Sequence, residues 1–152
     1  MLKGDGSFSG IWRSGALNSK EVRKMEALKI SSPAFGQNGY IPVKYTCDGD
    51  DVNPPLVIDN VPQNAKSVAL IMDDPDAPAG TWVHWVVWNI DPKTKEIKDS
   101  YVPKGAQQGI NDFRRHDYGG SCPPSGTHRY FFKLYALDTS LTLREIFGDV
   151  VA

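Results

Sequence analysis

The stretch MDDPDAPAGTWVHWVVWNI, residues 72–90, decides the fold. It closes one apolar run, SVALIMD (67–73), and opens another, WVHWVVWNI (82–90), with acids, prolines and a glycine between them. Two such runs joined by turn residues predict an antiparallel hairpin with a loop over 74–82. Both runs are apolar on both faces, as in central strands covered from both sides. A purely structural loop beside a buried sheet uses carboxylates sparingly. Asp73, Asp74 and Asp76, followed by a histidine that interrupts the second strand at 84, therefore pose the question of a site.

Working outward, the flanking segments also read as strands. ALKISS and IPVKYTC alternate, the latter with Ile41, Val43 and Tyr45 on one face. RYFFKLYALD (129–138) is the last strong strand signal, and LTLREIFGDVV has the pattern of a beginning helix. CDGDDVNPP and DPKTKE are turn chemistry. Residues 103–126 hold five glycines and three prolines without a period; a loop of that length is functional or disordered. Residues 1–25, rich in Gly and Ser, read as an extension, either a loose tail or an oligomer arm. Residues 26–152 form the domain.

Composition narrows the partners. With 152 residues the chain makes one domain burying roughly two-thirds of its unfolded surface. A net charge of −1 gives no electrostatic footing for nucleic acid or an anionic membrane. No apolar run approaches the roughly 20 residues of a membrane span, and no signal-peptide core opens the chain. A cytoplasmic location is expected. Two cysteines, Cys47 and Cys122, make no disulfide framework and no metal-type spacing. We read them as free thiols of a reducing compartment, the sequence leaving a pairing between them open.

The hairpin brings the end of the first strand beside the start of the second. The acids and His84 then share one end of the sheet. Alternation puts His84 on the face of Val86, Trp88 and Ile90, opposite Val83, Trp85 and Val87. In the last strand His128 and Tyr130 share a face with Phe132 and Leu134. If that strand starts at the same end, two histidines, a tyrosine and two carboxylates line one pocket. Imidazole and phenol donors suit a phosphate or carboxylate, while a carboxylate fixes a histidine tautomer or attracts a cationic group beside the anion. Singly, each residue has a plainer reading: a satisfied structural histidine, or Asp-Pro as a turn initiator. A zinc site of two histidines and a carboxylate lacks a compact ligand motif, and a serine hydrolase using Ser121 or Ser125 lacks a nucleophile elbow.

At these residues the chain resembles the phosphatidylethanolamine-binding protein family, also called Raf kinase inhibitor-like, in its bacterial and archaeal form. IPVKYTCDGDDVNPPL, DDPDAPAGTWVHWVVWNI and GINDFRRHDYGGSCPPSGTHRYFFKLYALD carry the likeness over roughly residues 28–140. The resemblance implies a mainly β protein: a β-sandwich with a large antiparallel sheet and few short helices. It implies a ligand pocket of Asp74, Asp76, His84, His128 and Tyr130, with Cys122 and Pro123 on its rim. It also implies phosphate-bearing small molecules as ligands and a kinase or protease as a further partner. No catalytic activity, cofactor or metal comes with it.

Three features depart from the family pattern. Ser121 stands where a proline commonly precedes Cys-Pro-Pro. The segment 114–116, RRH, is bulkier and more basic than the pattern. The usual C-terminal end, with its final strand, is expected to be missing, and an open sheet edge predicts a homo-oligomer.

Overall fold

A computed structural model describes residues 27–142, so the N-terminal extension and the helix expected after Leu141 lie outside the described residues. Among the described residues, seven strands form two antiparallel sheets. The smaller has the order β1-β2-β5, from Lys29–Ser31 (β1), Leu56–Asp59 (β2) and Glu96–Ile97 (β5). The larger has the order β6-β4-β3-β7, from Ser67–Asp74 (β3), Trp82–Ile90 (β4), Gln107–Gln108 (β6) and Phe131–Leu137 (β7).

The core joins both sheets. Leu56 and Ile58 from β2 and Ile97 from β5 pack with Val68, Leu70 and Met72 from β3 and Trp85, Val87 and Ile90 from β4. Tyr118 and Tyr130 complete the cluster, and Phe132 and Leu134 pack against it from β7. The fold is thus the mainly β sandwich expected, and the predicted hairpin β3–β4 is its centre. β3 pairs antiparallel with β4 on one side and β7 on the other. The end of β3 therefore meets the starts of both neighbours.

The alternating IPVKYTC is not a strand. Val43–Tyr45 form a 3-10 turn that leaves Val43 exposed and buries Tyr45. Pro42 cannot donate to a ladder, and the chain folds back on itself through Thr46 N–H to Val43 O (3.0 Å) and Asp50 N–H to Lys44 O (3.0 Å). Local turn chemistry outweighs a period of two. The long loop 103–126 is ordered: it contributes β6 to the sheet, and Asn111 anchors it by donating to the carbonyls of His84 (3.1 Å) and Asp117 (2.9 Å).

The expectation of free thiols is also corrected. Cys47 and Cys122 form a disulfide across 75 residues. Closing a loop of that length removes denatured-state entropy equivalent to about 4 kcal/mol. Spacing hides the bond because a parallel bridge, Thr46 with Ser121, sets the two cysteines side by side only in the fold.

Candidate functional site

Two β-bulges in β4 determine where its side chains point. Met72 pairs with Trp85 but Asp73 with Val83, which leaves His84 as an extra residue without a β3 partner. Strict alternation sets His84 opposite Trp85. Instead its ring lies edge-on against Tyr130, 5.2 Å between centroids, and Tyr130 belongs to the same core cluster as Trp85. The unpaired His84 carbonyl is taken up by Gly119 N–H (3.0 Å) and by Asn111. A second shift lies between Val87 and Ile90, where Asn89 adopts φ 55° and exchanges two 2.8 Å bonds with the Leu141 backbone. It moves Ile90 into the core with Trp85 and Val87, away from the face on which alternation had put it with His84.

Asp74 and His128 come together as the sequence suggested. Asp74 Oδ2 meets His128 Nδ1 at 2.7 Å, both side chains buried, and Asp74 Oδ1 accepts the Asp76 N–H at 2.9 Å. Asp76 does not turn inward. Its carboxylate holds Arg129 through the backbone N–H (2.8 Å), Nε (2.8 Å) and Nη2 (2.6 Å). Those bonds keep its carboxyl well below the usual carboxylate range. Asp73 pairs with Lys133. Of the three acids, then, Asp74 alone reaches the histidines, and Asp76 straps the start of β7 to the loop after β3.

His84 Nδ1 faces two carbonyls, Gly119 O at 2.8 Å and Gly120 O at 3.1 Å. Carbonyls only accept, so Nδ1 carries the proton and a neutral ring presents Nε2 as a lone pair. Burial pushes the His84 pKa below 6.5, against the opposing pull of Gly119 and of the Asp74 charge. The residue thus enters the pocket as an acceptor at neutral pH, where the sequence suggested a donor.

The donors are Tyr130 and Trp82. Both the Asp74 carboxylate and the Cys122 N–H lie near the Tyr130 hydroxyl, yet neither completes a hydrogen bond of good geometry, and the buried oxygen is left without a partner. Burial and Asp74 push its pKa upward, so it stays protonated. Trp82, paired with Asp74 at the strand ends, has a buried Nε1 that is likewise unpartnered. Buried orphan donors are uncommon and ask for a missing acceptor. Phe113 stands between the Trp82 and His84 rings, 5.5 Å from the first and 5.1 Å from the second. Trp82 and Phe113 escaped the sequence reading. The hairpin register would have found Trp82, but nothing local marks Phe113.

Behind His84 the segment 118–122 acts as a rail. Gly120 N–H donates to Asp51 Oδ1 (2.6 Å), Asp51 Oδ2 accepts Arg115 Nη2 (3.1 Å), and the Tyr118 hydroxyl donates to Tyr45 O (2.8 Å). Close approach dictates both glycines: a Cβ on Gly119 would stand 2.5 Å from the Phe113 ring, and one on Gly120 would stand 2.7 Å from Asp51. The rim follows, with Cys122, Pro123 and onward to Thr127 exposed. Arg114 and His116 are exposed. Among the described residues no His/Cys/Asp/Glu group is arranged to hold a metal. No described helix is long and apolar enough to cross a membrane. A separate groove, lined by Val61, Pro62, Lys66, Asp91 and Lys93, lies beside the start of β3 and the end of β4, away from these groups.

A two-sheet sandwich built on this central hairpin is the fold of one class of β protein. The chain belongs to the phosphatidylethanolamine-binding protein family, whose profile matches residues 31–150. Among individual relatives it is 50% identical over 121 residues to a UPF0098 protein of Methanothermobacter thermautotrophicus, covering 76% of this chain and 80% of that one. A UPF0098 protein of Pyrococcus abyssi is 51% identical over 129 residues, covering 78% and 71%. In structure it is similar to a phosphatidylethanolamine-binding protein homologue from Chlamydia trachomatis, with TM-score 0.74, 39% identity and coverage of 78% and 80%. It is also similar to YBCL from E. coli, with TM-score 0.72, 32% identity and coverage of 78% and 81%.

Proposed function

We propose that the protein binds phosphate-bearing small molecules, such as a phospholipid headgroup, in the pocket formed by His84, Tyr130, Trp82, Asp74 and His128, without transforming them. The observation that carries this reading is two buried donors without partners at this end of the sheet: Tyr130 Oη, whose ring lies edge-on to His84, and Trp82 Nε1, whose ring meets His84 by way of Phe113. An oxyanion supplies acceptors for both, and a protonated phosphate oxygen can donate to His84 Nε2. No cofactor is required for this.

Phosphorus NMR of O-phosphorylethanolamine mixed with the protein tests it. A shifted or broadened signal that stays chemically intact, and that returns to the free spectrum with the His84→Ala, His128→Ala variant, is expected. A growing inorganic phosphate peak abolished by the same variant would make the protein a hydrolase. A second reading, docking of the pocket and loop 103–126 on a kinase or protease, draws on the 37% exposure of Phe113 and the exposed run from Cys122 to Thr127. Self-association is proposed on a separate footing. Among the described residues β7 is an edge strand, and an open edge pairs readily with another chain; sedimentation equilibrium measures it. A cytoplasmic location now requires an interior that keeps Cys47–Cys122 oxidised, as heat-loving archaea do.

A further inference from the structure

We propose that the Cys47–Cys122 disulfide is a redox-sensitive clamp on the His84 site, holding the rail 118–122 in its binding geometry when closed and releasing it when a dithiol reduces it. The inference rests on the pocket reading above and adds a mode of regulation to it.

Three observations carry it. First, both cysteines are exposed, so the bond is open to thiolate attack; access is what separates labile disulfides from inert structural ones. Second, the bond joins the turn 43–50 to the segment whose Gly119 and Gly120 carbonyls fix the His84 tautomer. Ser121, next to Cys122, accepts the Cys47 N–H at 3.2 Å, and the Cys122 N–H lies near the orphan hydroxyl of Tyr130. Displacing Cys122 therefore moves two groups of the pocket together. Third, the exposed rim from Cys122 to Thr127 is tied at its far end by His128 to Asp74 and Arg129 to Asp76. The disulfide is its covalent tether at the near end. The Asp51 bond to Gly120 involves neither cysteine and still ties the rail to Asp51 when the disulfide opens, so the site loosens without dispersing.

The step is ordinary thiol–disulfide exchange. A thiolate of the dithiol attacks one cysteine sulfur, and the other cysteine leaves as a thiolate and takes a proton. The second thiol of the reductant then attacks the mixed disulfide. Two electrons and two protons pass to Cys47 and Cys122, and the dithiol departs as a cyclic disulfide. Asp48, Asp50 and Asp51 flank Cys47 and repel an anionic thiol, which favours an uncharged dithiol or a protein thiol pair as the reductant.

The test is titration calorimetry with O-phosphorylethanolamine on three samples: oxidised protein, protein reduced with dithiothreitol, and the Cys47→Ser, Cys122→Ser variant. In parallel, nitrogen-15 NMR reads the His84 ring without ligand. The expected result is a Kd at least about 10-fold higher after reduction, restored by reoxidation, matched by the variant and insensitive to dithiothreitol there. Equal Kd in the two redox states overturns the clamp. If neither state binds, the pocket reading fails and the ring signals decide. An unchanged Nδ1–H tautomer on reduction then overturns the clamp, and a redox-dependent tautomer sustains it. Loss of near-ultraviolet circular dichroism on reduction overturns it too, since the bond would then hold the whole domain and not the site.

Discussion

Tyr130→Phe separates a ligand donor from a structural residue because the two roles predict opposite signs. The Tyr130 hydroxyl is sealed from solvent and completes no hydrogen bond of good geometry, although Asp74 and the Cys122 N–H lie near it. Burying an unsatisfied polar group costs about 1–3 kcal/mol, so deleting the oxygen while keeping the ring stabilises the free protein by up to that amount. At roughly 4 °C per kcal/mol for a domain near this size, the Tm rises by up to about 4–12 °C. Binding moves the other way. A hydrogen bond to a charged phosphate contributes about 1.5–3 kcal/mol, so its loss raises the Kd about 10- to 150-fold. Scanning calorimetry and titration calorimetry with O-phosphorylethanolamine on one preparation measure both, with the exposed Tyr101→Phe as a control that shifts neither. A lowered Tm would reveal a structural partner for the hydroxyl. An unchanged Kd would remove it from the binding site. Either result refutes the reasoning.

Stability should fall in mild acid through His84. Burial lowers its folded pKa below 6.5, so as pH drops the unfolded chain takes up the proton first; the residue's contribution is intact above about pH 6.5 and declines below it. Urea midpoints at pH 7.5 and 5.5 should differ less in His84→Gln than in the parent, and equal slopes would contradict this. Gly120→Ala would place a Cβ 2.8 Å from the Thr46 carbonyl carbon and 2.9 Å from the Cys47 nitrogen, backbone atoms that cannot swing aside. Overpacking of this kind costs about 1–3 kcal/mol, and a matching drop in urea midpoint, with a disturbed His84 ring signal, is expected. Trp85→Ala empties the middle of the core and removes the 2.7 Å bond from Nε1 to Gln108. A loss of about 3–5 kcal/mol by denaturant titration follows.

What the sequence made legible was the short-range grammar. The apolar runs 67–73 and 82–90 predicted the hairpin, which brought Asp74 and His84 to one end; His128 and Tyr130 joined them only on the assumption that the last strand starts there, which the β3–β7 pairing supplies. Phe132 and Leu134 fell on the face of Tyr130 as alternation required. Alternation failed where the backbone broke period: at Pro42, where a 3-10 turn replaced a strand, and at the two β4 bulges, each of which adds a residue that no side-chain pattern announces.

The parts that stayed hidden share a physical cause. Each rests on a partner far along the chain: His84 with Gly119 at a separation of 35 residues, Asp51 with Gly120 at 69, Cys47 with Cys122 at 75. None has a local signature, because a carbonyl acceptor or a glycine approach is specified by the backbone that arrives and not by the side chain that waits. The acids illustrate the same point. Asp74 and Asp76 are two residues apart in one turn, yet one orients a histidine and the other grips Arg129, a division set by where β7 begins. A site assembled from such distant closures cannot form before the segments 43–51 and 118–122 have closed on β4. Trp85 stands edge-on to Tyr118, 5.6 Å between centroids, so Trp85→Ala should reach ligand affinity as well as stability, by way of the rail behind His84.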